Sequence, residues 1–109
     1  MVVLELSIFP LDKGESVSEY VARAVDLIDR SGLDYQCHAM GTLIEGTFDQ
    51  VMGVVRQCFE ALSVDCDRIE CQIKLDYRKG RSGRLQGKVS SLEEKIGRSL
   101  KKQAESPSA

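Results

Sequence analysis

Apolar and polar residues alternate from the second residue onward, with Val2, Leu4, Leu6 and Ile8 on one side and Val3, Glu5, Ser7 and Phe9 on the other. A period of two predicts a strand, and Pro10, which has no amide hydrogen for a ladder, ends it. The period then changes. Ser16 with Glu19 has the spacing of a capping box, and Val17, Tyr20, Val21, Ala24, Val25 and Ile28 recur at helical spacing until Gly32 offers a C-terminal stop. Tyr35 to Met40 and Gly41 to Gly46 read as two strands joined by a tight reversal. Thr47 with Gln50 forms a second capping box ahead of the stripe Val51, Val54, Val55, Cys58, Phe59 and Leu62, which ends near Ser63. From Arg68 the alternation returns: Ile69, Cys71, Ile73, Leu75 and Tyr77 face one way, and Glu70, Gln72, Lys74, Asp76 and Arg78 the other. After a basic, glycine-containing loop, Ser90 and Glu93 predict the start of a last helix with a thin stripe of Val89, Leu92, Ile96 and Leu100.

The order strand, helix, strand, strand, helix, strand predicts an α+β fold, a ferredoxin-like βαββαβ sandwich with a four-stranded antiparallel sheet and an additional C-terminal helix. Both main helices then cover one face, over a core of Leu4, Leu6, Ile8, Ile69, Cys71, Ile73 and Leu75. The other face carries Glu5, Ser7, Gln72, Lys74 and Asp76, interrupted by Val3, Phe9 and Leu43. A solvated antiparallel sheet is ordinarily polar on its outer side. The apolar interruptions suit a subunit contact or the walls of a ligand site. One domain spans residues 1–103, and 104–109 are expected to be a disordered tail.

Composition narrows the function. A chain of 109 residues with 42% hydrophobic and 29% charged residues is globular, and one this small gains from assembly. Its net charge of -2 is unevenly spread: residues 1–79 hold 8 Lys and Arg against 14 Asp and Glu, whereas residues 80–109 hold 7 against 3. The first residues reach Glu5 without a basic start or a long apolar run, so neither a signal peptide nor a membrane span is expected and the location is read as cytoplasmic. Four cysteines, Cys37, Cys58, Cys66 and Cys71, then read as small apolar residues.

Candidate chemistry is sparse. The sole histidine, His38, has no Ser or Cys partner nearby in sequence, and reads as a polar strand residue. Cys66 and Cys71 lack zinc-ligand spacing, and no metal or cofactor is expected. The segment Arg78 to Lys88 holds five basic residues but no interleaved aromatics and no phosphate-binding glycine pattern, so nucleic acid is not an expected partner. An enzyme is not expected, for want of a nucleophile and base pair.

The blocks Ser7-Ile8-Phe9-Pro10-Leu11, Ser16-Val17-Ser18-Glu19-Tyr20-Val21, Ser31-Gly32-Leu33-Asp34-Tyr35, Met40-Gly41-Thr42-Leu43-Ile44-Glu45-Gly46 and Arg68-Ile69 to Asp76-Tyr77-Arg78 together resemble the small thiamine-binding protein family. The resemblance implies a ferredoxin-like subunit that pairs through its sheets into a homotetramer, a dimer of dimers. It also implies thiamine or its hydroxymethylpyrimidine moiety bound without turnover, for carriage, storage or sensing. Matching positions would place Ser7 and Thr42 at the ligand, with Glu45 and Asp76 as acidic groups, in a site at the sheet face and subunit interface. Strand alternation cannot by itself place Thr42 and Glu45 on the same face, so at least one of them must act from a strand end, a bulge or across a subunit boundary, and which face each occupies is left open. The competing expectation is a structural or regulatory oligomerisation domain with no small-molecule ligand. A third, an enzyme acting on a thiamine precursor, would need the missing catalytic pair.

Overall fold

The structure, a computed structural model, describes residues 1–80 and 83–100, with backbone alone for 84 and 86–89. Its elements in chain order are β1 (Val2–Pro10), α1 (Ser18–Arg30), β2 (Asp34–His38), β3 (Gly41–Gly46), α2 (Phe48–Ser63), β4 (Ile69–Tyr77) and α3 (Arg84–Ile96). The strands form one antiparallel sheet in the order β2-β3-β1-β4. With α1 and α2 packed on one face, this is the ferredoxin-like arrangement with an added C-terminal helix. The predicted boundary at 103 and the tail at 104–109 lie outside the described residues.

Local chemistry explains most element ends. Thr47 accepts a hydrogen bond from the Gln50 amide at 3.2 Å while Gln50 Oε1 accepts from the Thr47 amide at 2.9 Å, which completes the second capping box. The first box does not form. Val17 is the N-cap, without a side-chain bond, and its carbonyl accepts from both Tyr20 and Val21 at 3.0 Å. The expected cap at Ser90 is also displaced, because α3 already begins at Arg84 and Ser90 lies inside it. Arg84, Leu85 and Gln86 favour helix strongly enough to extend it backward into the basic segment.

The core lies under the helices and is built mainly by β1, β3 and α2. Val2, Leu4, Leu6, Ile8, Ile44, Ala24, Ile28, Val51, Val54, Val55, Cys58 and Leu62 are buried together. The expected β4 contribution is largely absent. Ile69 is half-buried, Cys71 is exposed, and Ile73 and Leu75 remain 41% and 40% accessible. The helices centre on β1 and β3, and β4 at the sheet edge projects beyond them. The cysteines are all unbridged: Cys58 and Cys66 are buried, Cys37 is half-buried and Cys71 exposed. Burial pushes the Cys58 thiol up to about 11, in keeping with a small core residue.

An ion pair ties α1 to the loop before β4. Arg23 donates to both Asp65 carboxylate oxygens at 2.9 Å and stacks over Tyr20 at 4.9 Å. That bidentate contact holds the Asp65 carboxyl below its ordinary value and raises the guanidinium. Asp12, at the end of β1, accepts from the Asp67 amide at 2.8 Å, which likewise lowers its carboxyl.

Candidate functional site

The ladder between β1 and β3 stops at Leu6 and Thr42, but β1 continues against β4 as far as Pro10. Beyond Leu6, therefore, one edge of β1 has no strand beside it. The chain turns at Ala39 and Met40, and Gly41 passes so close beneath β1 that a Cβ there would lie 2.7 Å from the Leu6 carbonyl oxygen. Only glycine fits. The result is a notch of about 470 Å³, bounded by Leu6, Ser7, Ile8 and Phe9 of β1, by Val17, Val21, Ala24 and Val25 on the side of α1, and by residues 37–42 of the hairpin. That volume falls within the roughly 300–1,000 Å³ usual for small-molecule sites.

Its walls are mostly apolar, with a few polar groups. Thr42 points to the helix side opposite Cys37 and its hydroxyl makes a long contact of 4.0 Å to the Cys37 sulfur. His38, at the end of β2, is fixed from both nitrogens: Nδ1 accepts from the Met40 amide at 3.2 Å and Nε2 lies 3.3 Å from Glu5 Oε2. With Nδ1 accepting, the ring hydrogen sits on Nε2, the atom on the Glu5 side. The hydrogen bond ties the imidazole to the turn and the second contact sets it beside a carboxylate; neither joins it to Ser7 or Cys37. The arrangement can hold a flat, mainly apolar ligand, with Thr42 the hydroxyl residue on the helix side and Ser7 at the free edge of β1.

The four residues implied by the resemblance fall into two pairs. Ser7 and Thr42 line this notch, although Thr42 faces the helices and is 5% exposed. Glu45 and Asp76 sit at the other end of the sheet on the opposite face, both in register with Val3. Two strand spacings separate them, about 10 Å. The pairing contains no bulge that would turn Thr42 toward Glu45, so one subunit does not bring all four together. Glu45 is only 3% exposed, faces Asp34 across the ladder and, with Leu85 of α3, borders a smaller cavity of about 210 Å³. The start of α3 therefore covers part of the sheet face expected to be open. Both residues already hold an interaction within the chain.

Cys37, Met40 and the α1 valines border the notch without any local motif that marks them, and His38, read as a polar strand residue, stands at its rim. The available signal was the disparity in length between the two central strands, which leaves a step where β3 ends. Among the described residues, no His, Cys, Asp and Glu groups are placed to hold a metal ion, and no helix is long and apolar enough to cross a membrane.

A ferredoxin-like sandwich with a small-molecule cavity at the step between its central strands is thus the class of protein that the fold and the notch define. Residues 4–93 match the family model described as thiamine-binding protein, and the chain belongs to that family. It is similar to a UPF0045 protein of Methanocaldococcus jannaschii, 34% identical over 93 residues that make up 85% of this chain and 93% of the relative. A Mycobacterium tuberculosis UPF0045 protein is 39% identical over 93 residues, covering 84% and 91%. Among solved structures, the Methanocaldococcus jannaschii protein superposes with a TM-score of 0.79 at 34% identity, covering 85% of this chain and 96% of that one. A Thermotoga maritima protein provisionally assigned to thiamine biosynthesis or salvage gives 0.74 at 25% identity, covering 84% and 97%.

Proposed function

We propose that this chain binds thiamine or its hydroxymethylpyrimidine moiety without chemical turnover, in the notch between the distal half of β1, α1 and the β2–β3 turn. The observation that carries this reading is the cavity of about 470 Å³ lined by Ser7 and Thr42 in a member of a family described as thiamine-binding. The apolar walls from Val17 and Val21 suit a flat ring, the Thr42 hydroxyl on the helix side suits a ring nitrogen or an amino group, and Ser7 and Phe9 border the notch from the free edge of β1. Glu5, held against His38 beside the rim, supplies the acidic group nearest the notch, a role the resemblance gave to Glu45 and Asp76. Those two belong to the far end of the sheet, away from the notch. The protein is then a cytoplasmic carrier, store or sensor, working as a homotetramer whose sheet faces meet over Val3, Phe9 and Leu43. It is not an enzyme in this reading, since His38 is engaged by Met40 and Glu5 and activates no nucleophile.

Isothermal titration with thiamine and with hydroxymethylpyrimidine tests the reading. Saturable heat is expected, with affinity for the cationic thiamine falling as salt is added and affinity for the neutral pyrimidine unchanged. Thr42→Val should weaken binding about tenfold, as expected for one lost hydrogen bond. Absence of heat and of any thermal shift at millimolar ligand would leave the oligomerisation domain as the better reading. The exposed β4 edge is what favours that alternative.

A further inference from the structure

We infer, on the reading of the notch as the ligand site, that His38 is its positioning residue, and that a proton on His38 Nδ1 decides whether the β2–β3 turn is held as the rim or released. Three contacts fix the imidazole where it can act. Its ring lies over Gly41, where an added Cβ would stand 3.7 Å from His38 Cε1. Nε2 reaches past β3 to Glu5 Oε2 of β1 at 3.3 Å, and Nδ1 accepts from the Met40 amide at 3.2 Å. This last bond spans two residues, as an Asx turn does, with an imidazole nitrogen in place of the usual side-chain oxygen. Ala39, Met40 and Gly41, the residues it shapes, all border the notch.

The two ring nitrogens respond differently to acid. In the neutral ring Nδ1 accepts and Nε2 bears the hydrogen, whereas the imidazolium carries a hydrogen on each nitrogen. Protonation therefore leaves Nε2 and its hydrogen facing Glu5 and turns Nδ1 from an acceptor into a donor. Two N–H groups then meet at the turn, and the bond to Met40 is lost. Glu5 keeps the ring in place while the turn is released. The imidazole side chain is 25% exposed, so a proton reaches it from solvent. Among the described residues, the charged groups on its face of the sheet are Glu5 from β1 and Lys74 from β4, which stands opposite Glu5 in the ladder. Gly41 and Leu43 of β3, Gln36 of β2 and the α1 residues bordering the notch are uncharged, and Asp34 lies at the far end of β2, beside Leu85 of α3.

NMR of the free chain reads the latch directly. As pH is lowered from about 8 to about 5, the His38 Cε1 proton and the Met40 and Gly41 amides are expected to shift with one shared midpoint. His38→Asn places a carboxamide oxygen at the same two-residue reach and removes the titrating nitrogen, so its turn stays held throughout. Isothermal titration with thiamine over the same series compares the two chains. Relative to His38→Asn, the natural chain should lose about threefold to tenfold in affinity from one end of the series to the other, the worth of one hydrogen bond. Titration of the ligand itself is common to both chains and cancels in that ratio. A Met40 amide that does not follow His38, or an affinity ratio constant with pH, would overturn the inference. Absence of heat from both chains at every pH would instead overturn the ligand reading, and the Met40 amide would still decide the latch.

Discussion

Strands β1 and β4 lie side by side over nine pairs and alternate apolar with polar residues in the same way, yet their surroundings are opposite. Every helix-side residue of β1 from Val2 to Pro10 is buried, whereas Cys71, Ile73, Leu75 and Tyr77 of β4 are exposed on that same side. Position in the sheet makes the difference. Two helices suffice to cover the central strands, and an edge strand beyond them keeps its apolar row in water until something else covers it. Alternation in a sequence therefore assigns faces, and the count and placement of covering elements assigns depth.

The largest expected effect sharpens this contrast. Leu4, fully buried and paired with Leu75, should lose about 3 kcal/mol on Leu4→Ala, while Leu75→Ala in the monomer should lose no more than about 1 kcal/mol. Urea unfolding of both variants measures the gap, and equal losses would break the comparison. Next comes Gly41→Ala, whose added Cβ would press within 2.7 Å of the Leu6 carbonyl and which also takes a φ of +156°, unfavourable for a side chain. It should cost about 1–3 kcal/mol and distort the notch, so stability and ligand affinity fall together.

The smallest effect concerns acid. Asp65 and Asp12 both have carboxyls held below the ordinary 3.8, by Arg23 and by the Asp67 amide respectively. A depressed carboxyl contributes stability that is present above 3.8 and disappears as pH falls through its lower folded value. Thermal melts from neutral pH down to about pH 2 should show Asp65→Asn less stable than the natural chain near neutrality and the two converging below pH 3.8. A constant difference down to pH 2 would place the effect elsewhere than in the ion pair.

The strand and helix order, the reversal before Gly41 and the Thr47–Gln50 cap were all legible, because period and capping chemistry are local. That alternation alone would not bring Thr42 and Glu45 onto one face was legible too, but which face each takes was not. What the sequence left open was set at long range. Ser16 did not cap α1, because the helix begins one residue later than that spacing requires, with Val17 as its N-cap. Ile73 and Leu75 look like Leu4 and Leu6 in sequence, and only the sheet order separates them. The notch arises from a ladder that ends at Leu6 while its strand goes on, and His38 becomes part of its rim through Met40 and Glu5. No local motif marks either.

The central claim is that ligand enters the notch rather than the carboxylate end of the sheet, and an amide-resolved NMR titration of the full chain with thiamine separates the two. The account predicts saturable shifts at Ser7, Val21, Cys37 and Thr42, with the amides around Glu45 and Asp76 little changed. Shifts confined to Glu45, Asp76 and their neighbours, or no saturable shift at all, would contradict it.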